Sequence, residues 1–207
     1  LVDKSLVAFD TQLDRYKLLE TVRQYALERL AASGDEADTR DRHLGFYVAL
    51  AERARPELNG PKQATWASRL DADRENVLLA FAHARRAPGG AAAALAMAHA
   101  LFMWMSWKDL EVWRRVMLEA LAHPDAQQED AGRSRALYVA SYIVYVTGRY
   151  EESFSLAQSS VELARKCGDV PALAEGLYSL GIAAIAIGRQ TDAREYFNEG
   201  LALARAA

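Results

Sequence analysis

A turn signal repeats at one fixed spacing through the second half of this chain. Gly148-Arg149 and Gly188-Arg189 lie 40 residues apart, and Lys108-Asp109 stands the same distance upstream. Self-similarity at a period of roughly 20–50 residues marks stacked supersecondary units, which restricts the fold more than any single motif. The same slots around each turn hold apolar or small residues. Met97, Leu137 and Leu177 precede it in register, as do Ala100, Ala140 and Leu180. Trp113, Ser153 and Ala193 follow it, then Met117, Ala157 and Phe197, then Leu121, Val161 and Leu201. Each unit therefore reads as helix, short turn, helix. Neither helix can bury its stripe alone, so the units must stack, and the expected fold is an all-α solenoid.

The chain upstream of the repeats divides at its breakers. Residues 1–9 and 15–19 alternate as strands do around a polar break, which predicts a short N-terminal β-hairpin. From Thr21 the period becomes helical through Val22, Tyr25, Ala26 and Leu30, up to Gly34, a residue suited to a left-handed stop. Residues 36–55 read as a second helix with Leu44, Tyr47, Val48 and Ala51 on one face, broken by Pro56 and Gly60-Pro61. A helix pair follows over residues 62–70, with Trp66, and 73–86, with Val77, Leu78 and Phe81. The stretch Ala87-Pro88-Gly89-Gly90 is short enough to be a turn between helices. Three segments result: hairpin plus helix over 1–34, a helical arm over 35–90, and three repeats of about 40 residues over 91–207.

Composition narrows the partners. A net charge of -3, from 25 basic and 28 acidic residues, lacks the basic excess that draws proteins to nucleic acid. The most apolar run, residues 91–105, includes His99 and is shorter than the roughly 20 residues a membrane helix needs, so it reads as a buried core helix. Single Cys167 excludes an internal disulfide framework and points to a reducing compartment. The opening Leu1-Val2-Asp3-Lys4 has neither methionine nor signal sequence, so the chain is expected to be a cytoplasmic piece of a longer protein.

Residues 177–197, LYSLGIAAIAIGRQTDAREYF, resemble a tetratricopeptide repeat in their Leu-Gly pair, turn glycine, second-helix alanine and later aromatic. The second unit keeps Gly148 and Tyr150 but has Ser141 for the close-packing glycine. The first, with Trp104 and Trp113 at small positions, is only similar to the family. The 40-residue spacing exceeds the family's usual ~34. Residues 15–30, RYKLLETVRQYALERL, together with 1–7, are similar to the end of the winged-helix module in bacterial STAND-type ATPases, which are often fused to LuxR-like or SARP-like effector domains. Residues 66–79, WASRLDADRENVLL, resemble the helical arm that follows there. The resemblance implies a signal-transducing transcriptional regulator whose nucleotide switch lies upstream, whose arm transmits its state and whose repeats sense a partner or inducer. No Gly-x-x-x-x-Gly-Lys-Ser/Thr loop occurs in this chain, so ATP is expected only in a domain outside it, and no cofactor within it.

Catalytic motifs are absent. His43, His83, His99 and His123 show no metal-ligand spacing, and no nucleophile elbow occurs, so neither a metal site nor an enzyme is expected. Cys167-Gly168 reads as a helix end. Glu129-Asp130 and Glu151-Glu152 sit at helix starts, where carboxylates complement the dipole. Arg85-Arg86 and Arg114-Arg115 read as solvated helix faces. The sharper feature is aromatic: Tyr138, Tyr142 and Tyr145 fall at i, i+4 and i+7 on one stripe of a first helix. Phe102 and Met105 are expected before them, Tyr178 after them, and Arg135 and Glu175 at the edges. Tyrosine combines apolar area with a hydroxyl, which suits a docking surface for a protein segment or small inducer on the concave face of the repeats. Two alternatives stand beside that expectation. The rings are core between alanine-rich helices, or the chain pairs with a second copy of itself. Neither nucleic acid nor membrane is an expected partner.

Overall fold

The computed structural model describes residues 6–11 and 15–206. The expected strand residues 1–5 and the break at 12–14 lie outside the described residues. Strands β1 (Val7–Asp10) and β2 (Arg15–Leu18) pair antiparallel, with Phe9 opposite Tyr16 and their rings 4.8 Å apart. Helix α1 (Glu20–Ser33) follows and ends on Gly34 at φ 82°. None of its residues is buried.

Helix α2 (Glu36–Leu58) runs past Pro56, against the expected stop at residue 55. Proline removes one backbone hydrogen bond in the last turn. Ala54 before it and Leu58 beyond it are both essentially fully buried, and burial of that face, about 2 kcal/mol for Leu58 alone, offsets the loss at the helix end. Helices α3 (Gln63–Ala72) and α4 (Arg74–Ala84) make the pair predicted from the sequence. The turn that follows places Gly89 at φ 69° and leads into α5 (Gly90–Ala100). A Cβ on Gly90 would stand 2.2 Å from the Ala84 carbonyl oxygen, so only glycine lets the two backbones meet there.

The repeats are α5 with α6 (Phe102–Met105) and α7 (Leu110–Ala122), then α8 (Ala131–Val146) with α9 (Tyr150–Cys167), then α10 (Val170–Ala186) with α11 (Gln190–Ala206). Their second helices begin at Leu110, Tyr150 and Gln190, so the sequence period is a backbone period. The first unit departs in two ways. Its left-handed turn residue is Asp109 at φ 53°, one position later than the Lys108 that aligns with Gly148, at φ 80°, and Gly188, at φ 81°. Asp109 is held in place by Arg74 at 2.7 Å. Its first helix also breaks at Leu101. There Trp104 and Trp113, edge to face at 5.1 Å, take slots that Val144 and Ser153 fill in the next unit.

Helices α2, α5, α8 and α10 pack in succession, forming one layer. A single apolar core runs from Leu44 to Leu163, and a smaller cluster joins α9 to α10 through Ala157, Val161, Leu177 and Leu180. The repeat slots identified in the sequence are buried, apart from half-buried Phe197 and Leu201, which is 49% exposed. Between α8, α9 and α10 the close contacts are made by serines. Ser134 and Ser160 each donate to the other's carbonyl, at 2.9 and 2.8 Å. Ser153 donates to the Ser141 carbonyl at 2.8 Å, and the Ser141 and Ser179 hydroxyls are 2.6 Å apart. A small hydroxyl lets helices approach as glycine does while satisfying its own polarity.

Candidate partner-binding groove

The layer α2–α5–α8–α10 presents two adjoining depressions. The smaller, about 140 Å³, is lined by Arg55 and Asn59 of α2, His99 of α5, Phe102 and Met103 of α6, Tyr138 of α8 and Glu175 of α10, with Ala100 between. The larger, about 290 Å³, lies next to it and shares Arg55, His99 and Ala100, with Glu52, Gly132 and Arg135 beyond. The imidazole of His99, which is 10% exposed, stands between the two charges of the smaller depression. Its Nε2 is 3.5 Å from Arg55 Nη2 and 3.4 Å from Glu175 Oε2.

An aromatic wall closes one side. The Phe102 ring meets Tyr138 edge-on at 5.2 Å and Tyr142 at 5.1 Å. Tyr138 is buried, and that burial, reinforced by the Glu175 carboxylate, raises its phenol well above the usual tyrosine value, so it is a neutral hydrogen-bonding group. Tyr142 and Phe102 are half-buried and keep accessible ring surface.

The structure separates residues that the sequence reading groups together. Phe102, Tyr138, Tyr142 and Glu175 come together at the groove. Met105 does not: it is completely buried, because the helix break at Leu101 turns it into the core, and it has no surface to offer a ligand. Tyr145 lies against Tyr150 at the turn between α8 and α9, ring centres 5.4 Å apart. Tyr178 is 50% exposed and leans on Phe197 at 6.3 Å. Arg135 lines the larger depression with its guanidinium 2.6 Å from the Asp169 carboxylate. Sequence reasoning missed Arg55 and His99 as groove residues. The one signal was a histidine inside an alanine-rich run, where a polar ring must find partners across a neighbouring helix.

Other sequence features fall in structural roles. Asp130 caps α8 by accepting from the Arg133 amide at 2.8 Å, Glu129 pairs with Lys166, and Cys167 closes α9 ahead of left-handed Gly168. Among the described residues no three histidine, cysteine or acidic side chains gather to hold a metal ion, and no helix is long and apolar enough to cross a membrane.

Comparison with known proteins matches this arrangement in part. Residues 133–206 match the tetratricopeptide repeat family. The match takes in α8 to α11 and leaves the indole-filled first unit outside it. Over its full length the chain is 34% identical to proteins named HTH-type transcriptional regulators in Mycobacterium bovis and in two strains of Mycobacterium tuberculosis. It spans 24% of the length of each of these relatives. No solved structure matches it significantly.

Proposed function

We propose that this chain is a non-catalytic interaction module of a transcriptional regulator, and that it captures a segment of a partner protein in the groove of the α2–α5–α8–α10 layer. The observation that carries this reading is the pair of small, adjoining depressions, the smaller lined by Phe102 and Tyr138, with the Tyr142 ring set edge-on against Phe102. Enclosed small-molecule sites commonly run from roughly 300 to 1,000 Å³. Depressions of about 140 and 290 Å³ in a row suit successive side chains of a peptide better than one compact inducer. The names of the relatives and the repeat match support a place in a regulator.

The test is a random dodecapeptide display selection on the purified chain, followed by titration of the enriched peptides as synthetic ligands. Phe102→Ala with Tyr142→Ala should abolish their binding while leaving the helical circular dichroism intact. Peptides that bind the double variant as tightly as the natural chain would remove the groove from consideration.

A second reading, self-association, is favoured by the N-terminal surface. Phe9, Tyr16, Leu18, Leu19, Tyr25 and Leu27 are all more than 40% exposed on the hairpin and α1. Light scattering over a concentration series decides it: a mass that doubles with concentration supports pairing through this surface, and a constant monomer mass removes it.

A further inference from the structure

The groove contains one arginine whose charge has no carboxylate to answer it. Arg135 is committed to Asp169 at 2.6 Å. Arg55 has no carboxylate within 4 Å among the described residues, and its guanidinium reaches only His99, at 3.5 Å. That contact is itself contested, because the same Nε2 of His99 is 3.4 Å from Glu175. One ring nitrogen can accept from Arg55 or donate to Glu175, but it cannot do both. If Nε2 carries the proton, it serves Glu175 and faces the Arg55 N–H groups with another donor. If it does not, it accepts from Arg55 and meets the Glu175 oxygen with a lone pair. Either state leaves one charged group of the groove with solvent as its only partner there, and both distances lie beyond ordinary hydrogen-bond length.

An incoming carboxylate removes the conflict. Placed on Arg55, it gives the guanidinium a charged, two-point acceptor. His99 is then free to donate to Glu175, which screens that carboxylate from the newcomer. The remaining walls, Phe102 and Tyr138, require an apolar or aromatic group close to the acid. Glu52, which lines only the larger depression, keeps the acidic anchor in the smaller one.

We infer that the groove recognises a protein segment carrying an aspartate or glutamate next to a large apolar side chain, the acid binding Arg55 and the apolar group lying against Phe102 and Tyr138. This rests on the groove reading above and adds to it the chemistry of the partner.

The probes are the synthetic peptides recovered from the dodecapeptide selection. Enriched sequences should pair an acidic residue with a neighbouring aromatic or aliphatic one. Arg55→Gln should weaken the best peptide about tenfold or more, as losing one charge-assisted contact does, and Arg55→Lys should recover part of the loss. Replacing the peptide's acid by its amide should cost a similar factor on the natural chain and nothing further on Arg55→Gln. Arg55 is exposed, so these variants keep the fold. If Phe102→Ala with Tyr142→Ala abolishes binding but Arg55→Gln changes it less than twofold, or if basic peptides are enriched and depend on Glu175, the acidic anchor is wrong and the groove stands. If nothing is enriched over background, or binding ignores both sets of variants, both readings fall.

Discussion

Helices α1 and α8 are built from similar material and end in opposite states. Both are about four turns long, and both carry tyrosine, leucine or valine on several sides. In α1 no residue is buried, and Tyr25 is 63% exposed. In α8 nine residues are buried, including Tyr138 and two serines. What differs is company: α8 lies among α5, α7, α9 and α10, whereas α1 packs sparsely and chiefly on α2. An apolar side chain stabilises a helix only when another element removes it from water, and short helices have little stability of their own. The stack is therefore where the free energy of this chain resides.

The contrast is broken most severely at the corner where the stack begins. Gly90→Ala drives a methyl group into the Ala84 backbone, which cannot rotate aside, and should cost at least about 3 kcal/mol in a denaturant titration. Gly45→Ala is the control: on α2 its Cβ meets nothing within 4 Å, and the change should stabilise by about 0.5–1 kcal/mol. Ser160→Ala comes next, because it removes one donor of a reciprocal buried pair and leaves the Ser134 carbonyl short of a partner. A loss of about 1–2 kcal/mol is expected, and an unchanged transition would mean the serines only supply smallness.

Proton uptake sharpens the comparison upstream of the repeats. His43, half-buried against the Tyr47 ring, has its imidazole pushed below the ordinary value of 6.5 by burial first, then by neighbouring His83 and Arg40, against an opposing pull from Asp73. The unfolded chain then binds the proton that the folded chain resists. Stability should hold above pH 6.5 and fall as the pH drops below it, and His43→Gln should flatten that decline in a melting-temperature series. Asp71 acts in a separate, more acidic window. Burial raises it, but hydrogen bonds from Lys108 and Trp104 outweigh that and hold it below 3.8, so its contribution is lost only as pH falls past that value. The smallest effect belongs to α1. Tyr25→Ser and Leu27→Ser should each change stability by less than about 0.5 kcal/mol, and α1 amides should exchange with solvent far sooner than those of α8. A large loss at Tyr25 would show that the N-terminal surface is covered in solution, as the self-association reading requires.

Much of the fold was legible from spacing. The turns at Gly148 and Gly188, the left-handed stop at Gly34 and the buried slots from Met97 to Val161 follow from period and residue type, because a helix buries every third or fourth residue whatever its neighbours are. The groove was legible only in part. The tyrosine stripe marked a face of α8 but did not distinguish Tyr138, Tyr142 and Tyr145, which point to a shared wall, a groove edge and a distant turn. Met105 and Pro56 were misread for one reason: local rules assign a helix or a break, and tertiary burial of Met105 and Leu58 overrode them.

By itself, the sequence determined the repeat, its 40-residue period and the all-helical class, since these depend on contacts within one helix pair. Only the tertiary structure decided that Arg55, His99 and Glu175 share a site. They come from α2, α5 and α10, separated by 44 and 76 residues along the chain, and no local pattern encodes which layers a solenoid brings side by side.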